Sequence, residues 1–143
     1  MATLEDIEKR RADRLAAKNK ARAEQELADL EAIDKLEAAG DEVLRTMTAN
    51  DFKPGVPYRI AFRSPSPEVY KRYADQVGNA LQKGDAGARK KAQELLAQSC
   101  IAYPEKGSDA YKALLAGFPG VLLSMAIEVA KVAELEAEEE GKG

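Results

Sequence analysis

Between Val121 and Ala133 only Ser124, Glu128 and Lys131 are polar, and they fall on one i, i+4, i+7 stripe of a helix that is otherwise apolar around its circumference. The pattern predicts a helix opened by Pro119 and running to about Glu138. It needs cover on nearly every side, so a central pillar of the core is preferred to an apolar groove offered to a partner. At the other end of the chain, no proline or glycine occurs from Thr3 to about Ala39, and Thr3 followed by Asp6 supplies a cap with an acidic first turn. That stretch reads as one helix stopped by Gly40. At 1.5 Å per residue it extends roughly 50 Å, longer than a small domain is wide, so part of it must project into solvent or lie on a partner.

The large apolar residues of this helix are unevenly spread. Leu27, Leu30, Ile33 and Leu36 recur at threes in its second half, while Leu15 stands almost alone between Ile7 and Leu27. A strict three-residue step precesses around a helix, whereas a coiled coil alternates threes and fours. Sustained zipper pairing is therefore not expected.

The stretch "TMTANDFKPGVP", residues 46–57, gathers Thr, Asn, Asp, Gly and two prolines, the composition of a linker. After it, "YRIAFR" alternates Tyr58, Ile60 and Phe62 with Arg59, Ala61 and Arg63, the period-2 signature of a half-buried strand. One strand cannot stand alone, and nothing in the pattern says what it pairs with. Ser66 and Pro67 then open a helix to about Leu81, with Tyr70, Tyr73, Val77 and Leu81 inward. Asp85 in "GDAGARKK" caps a third helix to about Ser99, with Ala88, Ala92, Leu95, Leu96 and Cys100 inward. "YPEKGS" breaks the chain, and Ser108 caps a short helix reaching about Gly117.

The expected fold class is all-α: a long N-terminal helix followed by a small helical domain of about four helices with one short strand. The division is a long charged helix at 1–45, a linker at 46–57, and a domain at 58–143 with an acidic C-terminal tail. That tail, Glu134, Glu136, Glu138, Glu139 and Glu140, is expected to fray and stay solvated. A length of 143 residues suits one domain or a small domain with an appendage.

Charge changes this picture along the first helix. Residues 9–22 carry seven basic residues against Asp13, a net +6, and residues 24–42 carry eight acidic residues against Lys35, a net −7. Arg10, Arg14, Lys18 and Arg22 follow one another at i, i+4, a like-charge stripe that opposes an isolated helix by a few tenths of a kcal/mol per pair. The stripe is either a solvated face, the favoured reading, or an electrostatic contact for an acidic protein segment. A formal net charge of −3 and the absence of interleaved aromatic residues disfavour nucleic acid as the partner.

Candidate chemistry is sparse. The chain has no histidine, which removes the commonest general base and metal ligand. Its one cysteine, Cys100, lies on an apolar stripe and reads as a small buried side chain. Carboxylate pairs occur only in charged runs, and "GDAGARKK" lacks the spacing of a phosphate-binding loop. A non-enzyme without cofactor or metal is expected. The N-terminus lacks the apolar core of a secretory signal, and "GVLLSMAIEVAKVA" is broken by Glu128 and Lys131 and too short for a bilayer. Neither export nor a membrane is expected.

Three segments in order carry a family resemblance: "YRIAFRSPSPEVYKRY", "ELLAQSCIAYPEKG" and "ALLAGFPGVLLSMAIEVAKV". Through them residues 58–135 resemble the short tail assembly chaperones of tailed bacteriophages. The long N-terminal helix departs from that compact pattern. The resemblance implies an enzymatically inert protein of the host cytoplasm that binds the tape measure protein and keeps it soluble until tail tube subunits polymerise around it. A helical client would then be held through apolar surface from Tyr70, Tyr73, Leu114, Leu115, Phe118, Leu122 and Met125, with Arg10, Arg14, Lys18 and Arg22 as electrostatic contacts. Homo-oligomers are compatible with it. The rival expectation is a structural virion or adaptor protein docking through its long helix.

Overall fold

The proline- and glycine-free start of the chain forms a single 35-residue helix, α1 (Leu4–Ala38). It belongs to a computed structural model that describes residues 1–41 and 44–142, those after Glu136 as backbone only. A reciprocal capping box closes its first turn: Thr3 Oγ1 accepts from the Asp6 N–H at 3.1 Å, and the Asp6 carboxylate accepts from the Thr3 N–H at 3.0 Å. Gly40, at φ 102°, turns the chain out of the helix, a conformation that only glycine adopts cheaply.

The strand expected at 58–63 is not alone. Three strands, β1 (Leu44–Thr48), β2 (Arg59–Arg63) and β3 (Ile101–Tyr103), make an antiparallel sheet in the order β1-β2-β3. Met47 pairs with Ile60 and Thr46 with Ala61 on one side of β2, and Ala61 with Tyr103 on the other. The central strand therefore finds both neighbours within its own chain. Ile60, Ala61 and Phe62 are all buried, because both faces of the sheet are covered. Ile60 and Phe62 join the main helical core, while Ala61 and Ala102 pack with Ile33 of α1 on the opposite face.

Residues 46–57 are likewise no linker. Their first three residues belong to β1, and Ala49, Phe52, Val56 and Pro57 are buried. Lys53 Nζ donates to the Gly117 carbonyl at 2.5 Å and lies 4.7 Å from the Phe118 ring centroid, so this segment straps the end of the fourth helix. Turn-forming composition here marks a packed irregular segment.

The other helices follow their caps. Ser66 caps α2 (Pro67–Lys83), Asp85 caps α3 (Ala86–Cys100) and Ser108 caps α4 (Asp109–Gly117), each through a side-chain oxygen accepting an N–H three residues on. Two inner faces are rotated from expectation. Ala80 is buried where Leu81 was expected and Leu81 is 60% exposed; in α3, Ala92, Leu96, Ala97 and Cys100 are buried while Ala88 and Leu95 are exposed. Small side chains at Ala80 and Ala92 let α2 and α3 approach closely, and the leucines fall on the rims.

After a 101° bend, α5 (Val121–Lys142) is the pillar its pattern predicts: Val121, Leu122, Met125, Ala126, Val129 and Ala133 are buried. Burying each of the larger of these side chains stabilises the fold by about 1.5–3 kcal/mol. The helix passes its expected end at Glu138, and Glu136 is tied down rather than solvated, accepting from Ser64 Oγ at 2.9 Å. The side chains of Glu138, Glu139 and Glu140, part of the expected solvated tail, lie outside the described residues, as does Glu42. Among the described residues no single helix is long and apolar enough to cross a membrane.

Candidate interaction surface

One carboxylate fixes where the long helix sits. Asp29 is completely buried, an expensive position for an ionised group unless its oxygens are satisfied. Its Oδ2 accepts from the backbone N–H groups of Tyr58 (2.8 Å) and Arg59 (2.9 Å), at the entry to β2. Its Oδ1 accepts from Tyr103 Oη (2.6 Å) and from Gln25 Nε2 (2.9 Å), one turn earlier on α1. Four donors from three elements thus converge on one side chain. The same contact, together with burial, pushes the Tyr103 phenol well above its ordinary pKa, with burial the larger cause. Tyr103 remains a donor throughout the physiological range.

Around this bolt lie weaker ties. Arg59 grips the Glu26 carboxylate through Nη2 (2.6 Å) and Nε (3.1 Å), and Arg63 holds Asp41 in the same two-nitrogen manner at 2.6 and 2.9 Å. Arg22 lies 5.9 Å from the Tyr58 ring centroid. Lys18 bonds Asp51 at 3.1 Å, and that hydrogen bond is the main cause lowering the Asp51 pKa, with the Phe52 N–H contributing. Before Lys18 no hydrogen bond or ion pair joins α1 to the body among the described residues. Every residue from Met1 to Lys20 is exposed, so about 20 Å of capped helix stands clear of the body.

The basic stripe is therefore divided. Lys18 and Arg22 face partners within the chain, whereas Arg10 and Arg14 take part in no ion pair among the described residues, Arg14 Nε donating instead to the Arg10 carbonyl at 3.3 Å. The apolar set does not form one surface either. Leu114, Leu122 and Met125 are core residues, which corrects their reading as client contacts. Tyr73, Leu115 and Phe118 pack half-buried against that core. Tyr70, its ring centroid 6.1 Å from that of Tyr73, lines a cleft of about 430 Å³ with Pro65, Pro67 and Ala133. Phe118 lines another of about 260 Å³ beside Met47 and Pro119, elsewhere on the body.

Cys100 is buried, and burial pushes its thiol up to about 11, so it stays protonated at neutral pH. Among the described residues no group of acidic, cysteine or histidine side chains is placed to hold a metal ion. Every buried side-chain nitrogen and oxygen among them has a hydrogen-bond partner.

Comparison with known proteins adds no relative: no family model, no curated protein and no solved structure matches the chain.

Proposed function

We propose that this protein is a non-enzymatic assembly chaperone for a helical client of the tape measure kind, working in the host cytoplasm during tail building. One observation supports this reading above the others: the docking side of α1 continues past the body. Five helical turns take about 18 residues. Leu15 therefore lies on the same side as Ile33, Ile7 on that of Gln25, and Leu4 on that of Arg22. N-terminal to Lys18 none of the described residues covers this side, and Leu4, Ile7 and Leu15 are 72%, 44% and 60% exposed among basic residues.

An amphipathic client helix would bury its apolar stripe on those three residues, with acidic side chains meeting Arg10, Arg11 and Arg14. Tyr70, Tyr73, Leu115 and Phe118 are the accessible remainder of the apolar surface first expected on the body. Release needs only competition, since tail tube subunits closing around the client would cover the same stripe.

Co-expression with the tape measure protein of the same particle tests this. The intact chain should move the client into the soluble fraction, and a chain lacking residues 2–17 should not. A client equally insoluble with and without the chaperone would end the reading. The fixed direction that Asp29 gives α1 also suits a docking adaptor. That second reading requires the protein to remain in purified particles, from which a chaperone is absent.

A further inference from the structure

The free stripe of the arm has a counterpart elsewhere on the same helix. Measured at about 100° per residue from the inward direction set by Asp29, Ile33 and Leu36, Leu4, Ile7, Arg11, Leu15 and Lys18 fall within about 50°, and Arg14 within about 70°. Glu8 is the one acid in that sector, and Lys18 is already tied to Asp51. The outward direction of the docked half reads the other way. Glu24, Leu27, Glu31 and Asp34 fall within about 50° of it, with Lys35 at the margin and Leu30 on the flank. Leu27 and Leu30 stay 59% and 42% exposed, and Glu24, Glu31 and Asp34 are exposed and take part in none of the ion pairs among the described residues. One side of the arm is thus apolar and basic, and the opposite side of the docked half is apolar and acidic.

We propose that the arm of one copy lays its inner stripe on the outer face of the docked half of α1 in a second copy, head to tail. The two patches differ and are opposite in charge, so the contact is heterologous and leaves one patch of each kind free at the ends of the pair. Sterics choose the direction. In an antiparallel pairing the second copy's own arm would run into the first body beside Lys18. In a parallel pairing staggered by about 20 residues, roughly 30 Å, the second α1 stops at the partner's Gly40, about where the first body begins. That stagger sets Ile7 level with the partner's Leu27, Arg11 with the partner's Glu31 and Arg14 with the partner's Asp34. The second body hangs from the far side of its own α1 and clears the arm. The stripe is the one assigned above to the client, so the second copy stands in for a client helix, and client binding would part the copies. Only this last consequence rests on the chaperone reading.

Sedimentation equilibrium of the purified intact chain, with no client present, tests this. Its mass should rise with concentration beyond twice the 15.5 kDa chain mass and fall back in high salt. Arg11→Glu with Arg14→Glu should weaken self-association by about tenfold or more, and Glu31→Lys with Asp34→Lys should do the same. Mixed one to one, these two variants should form a complex of twice the chain mass that grows no further, since each supplies the patch that the other lacks. All four sites are exposed, and circular dichroism checks that each variant keeps its helix. A chain carrying all four changes should associate again. A monomeric mass of the unchanged chain at every concentration, a mass that stops at twice that of the chain, or a mixture of folded variants that stays monomeric would each overturn the proposal. Failure to solubilise a client would leave all of these readouts untouched, and a monomeric chain would leave the client reading standing.

Discussion

The two halves of α1 are both built from helix-forming residues, the first basic and the second acidic, and they are held in different ways. From Ala21 onward the helix is a packed element, anchored by Asp29, Glu26 and Ile33 against the sheet. From Leu4 to Lys20 it is exposed throughout, and its order comes from within the helix. Nucleating a helix is the unfavourable step, and the docked half provides the nucleus. Propagation through Ala, Leu, Lys, Arg and Glu then continues to the Thr3 capping box. Tertiary packing is needed only at one end.

The largest effect that can break this contrast comes from Asp29→Ala. It leaves the Tyr58 and Arg59 amides and the Tyr103 hydroxyl without their acceptor, and should cost about 3–5 kcal/mol in denaturant unfolding. Tyr103→Phe removes one donor and keeps the ring, so a loss of about 1–2 kcal/mol is expected from the same measurement. Glu26→Gln, which weakens a partly exposed grip on Arg59, should cost about 1 kcal/mol or less.

A pH titration sharpens the boundary between the halves. The Asp51 pKa is depressed, so its tie to Lys18 is fully present above the ordinary carboxylate value and is lost as pH falls through the depressed one. NMR titration should show Asp51 moving back toward its ordinary value in Lys18→Ala. Smallest of all is removal of residues 2–17. Thermal unfolding of the body should stay unchanged while the helical signal in circular dichroism falls, and a lower melting temperature would mean that the arm packs somewhere after all.

The same contrast marks what could be read from the sequence. Helix starts were legible because Thr3, Ser66, Asp85 and Ser108 are local signals whose caps form within a few residues of each other. The pillar was legible because its polar stripe is narrow. β1 was hidden by the Thr, Asn and Pro around it, and β3 is three residues between a helix and a proline. Both exist through pairing with β2, and pairing is a long-range event that leaves little local trace. Asp29 was one carboxylate among eight in an acidic run, and what distinguishes it is supplied from residues 58, 59 and 103. The apolar candidates failed as a surface for the reverse reason: helical spacing shows which side is greasy, but not whether a neighbour already covers it.

Because the arm is a continuous helix fixed at Asp29 and capped at Thr3, its residue count sets reach and heading together. Inserting seven residues near Ala17 would carry the tip about 10.5 Å farther and rotate its face by only about 20°. Inserting two would lengthen it by about 3 Å and swing Leu4 and Ile7 by about 200°, almost to the other side. Length and phase can therefore be varied separately in this molecule, and insertions in its arm are tolerated or not according to the turn they complete.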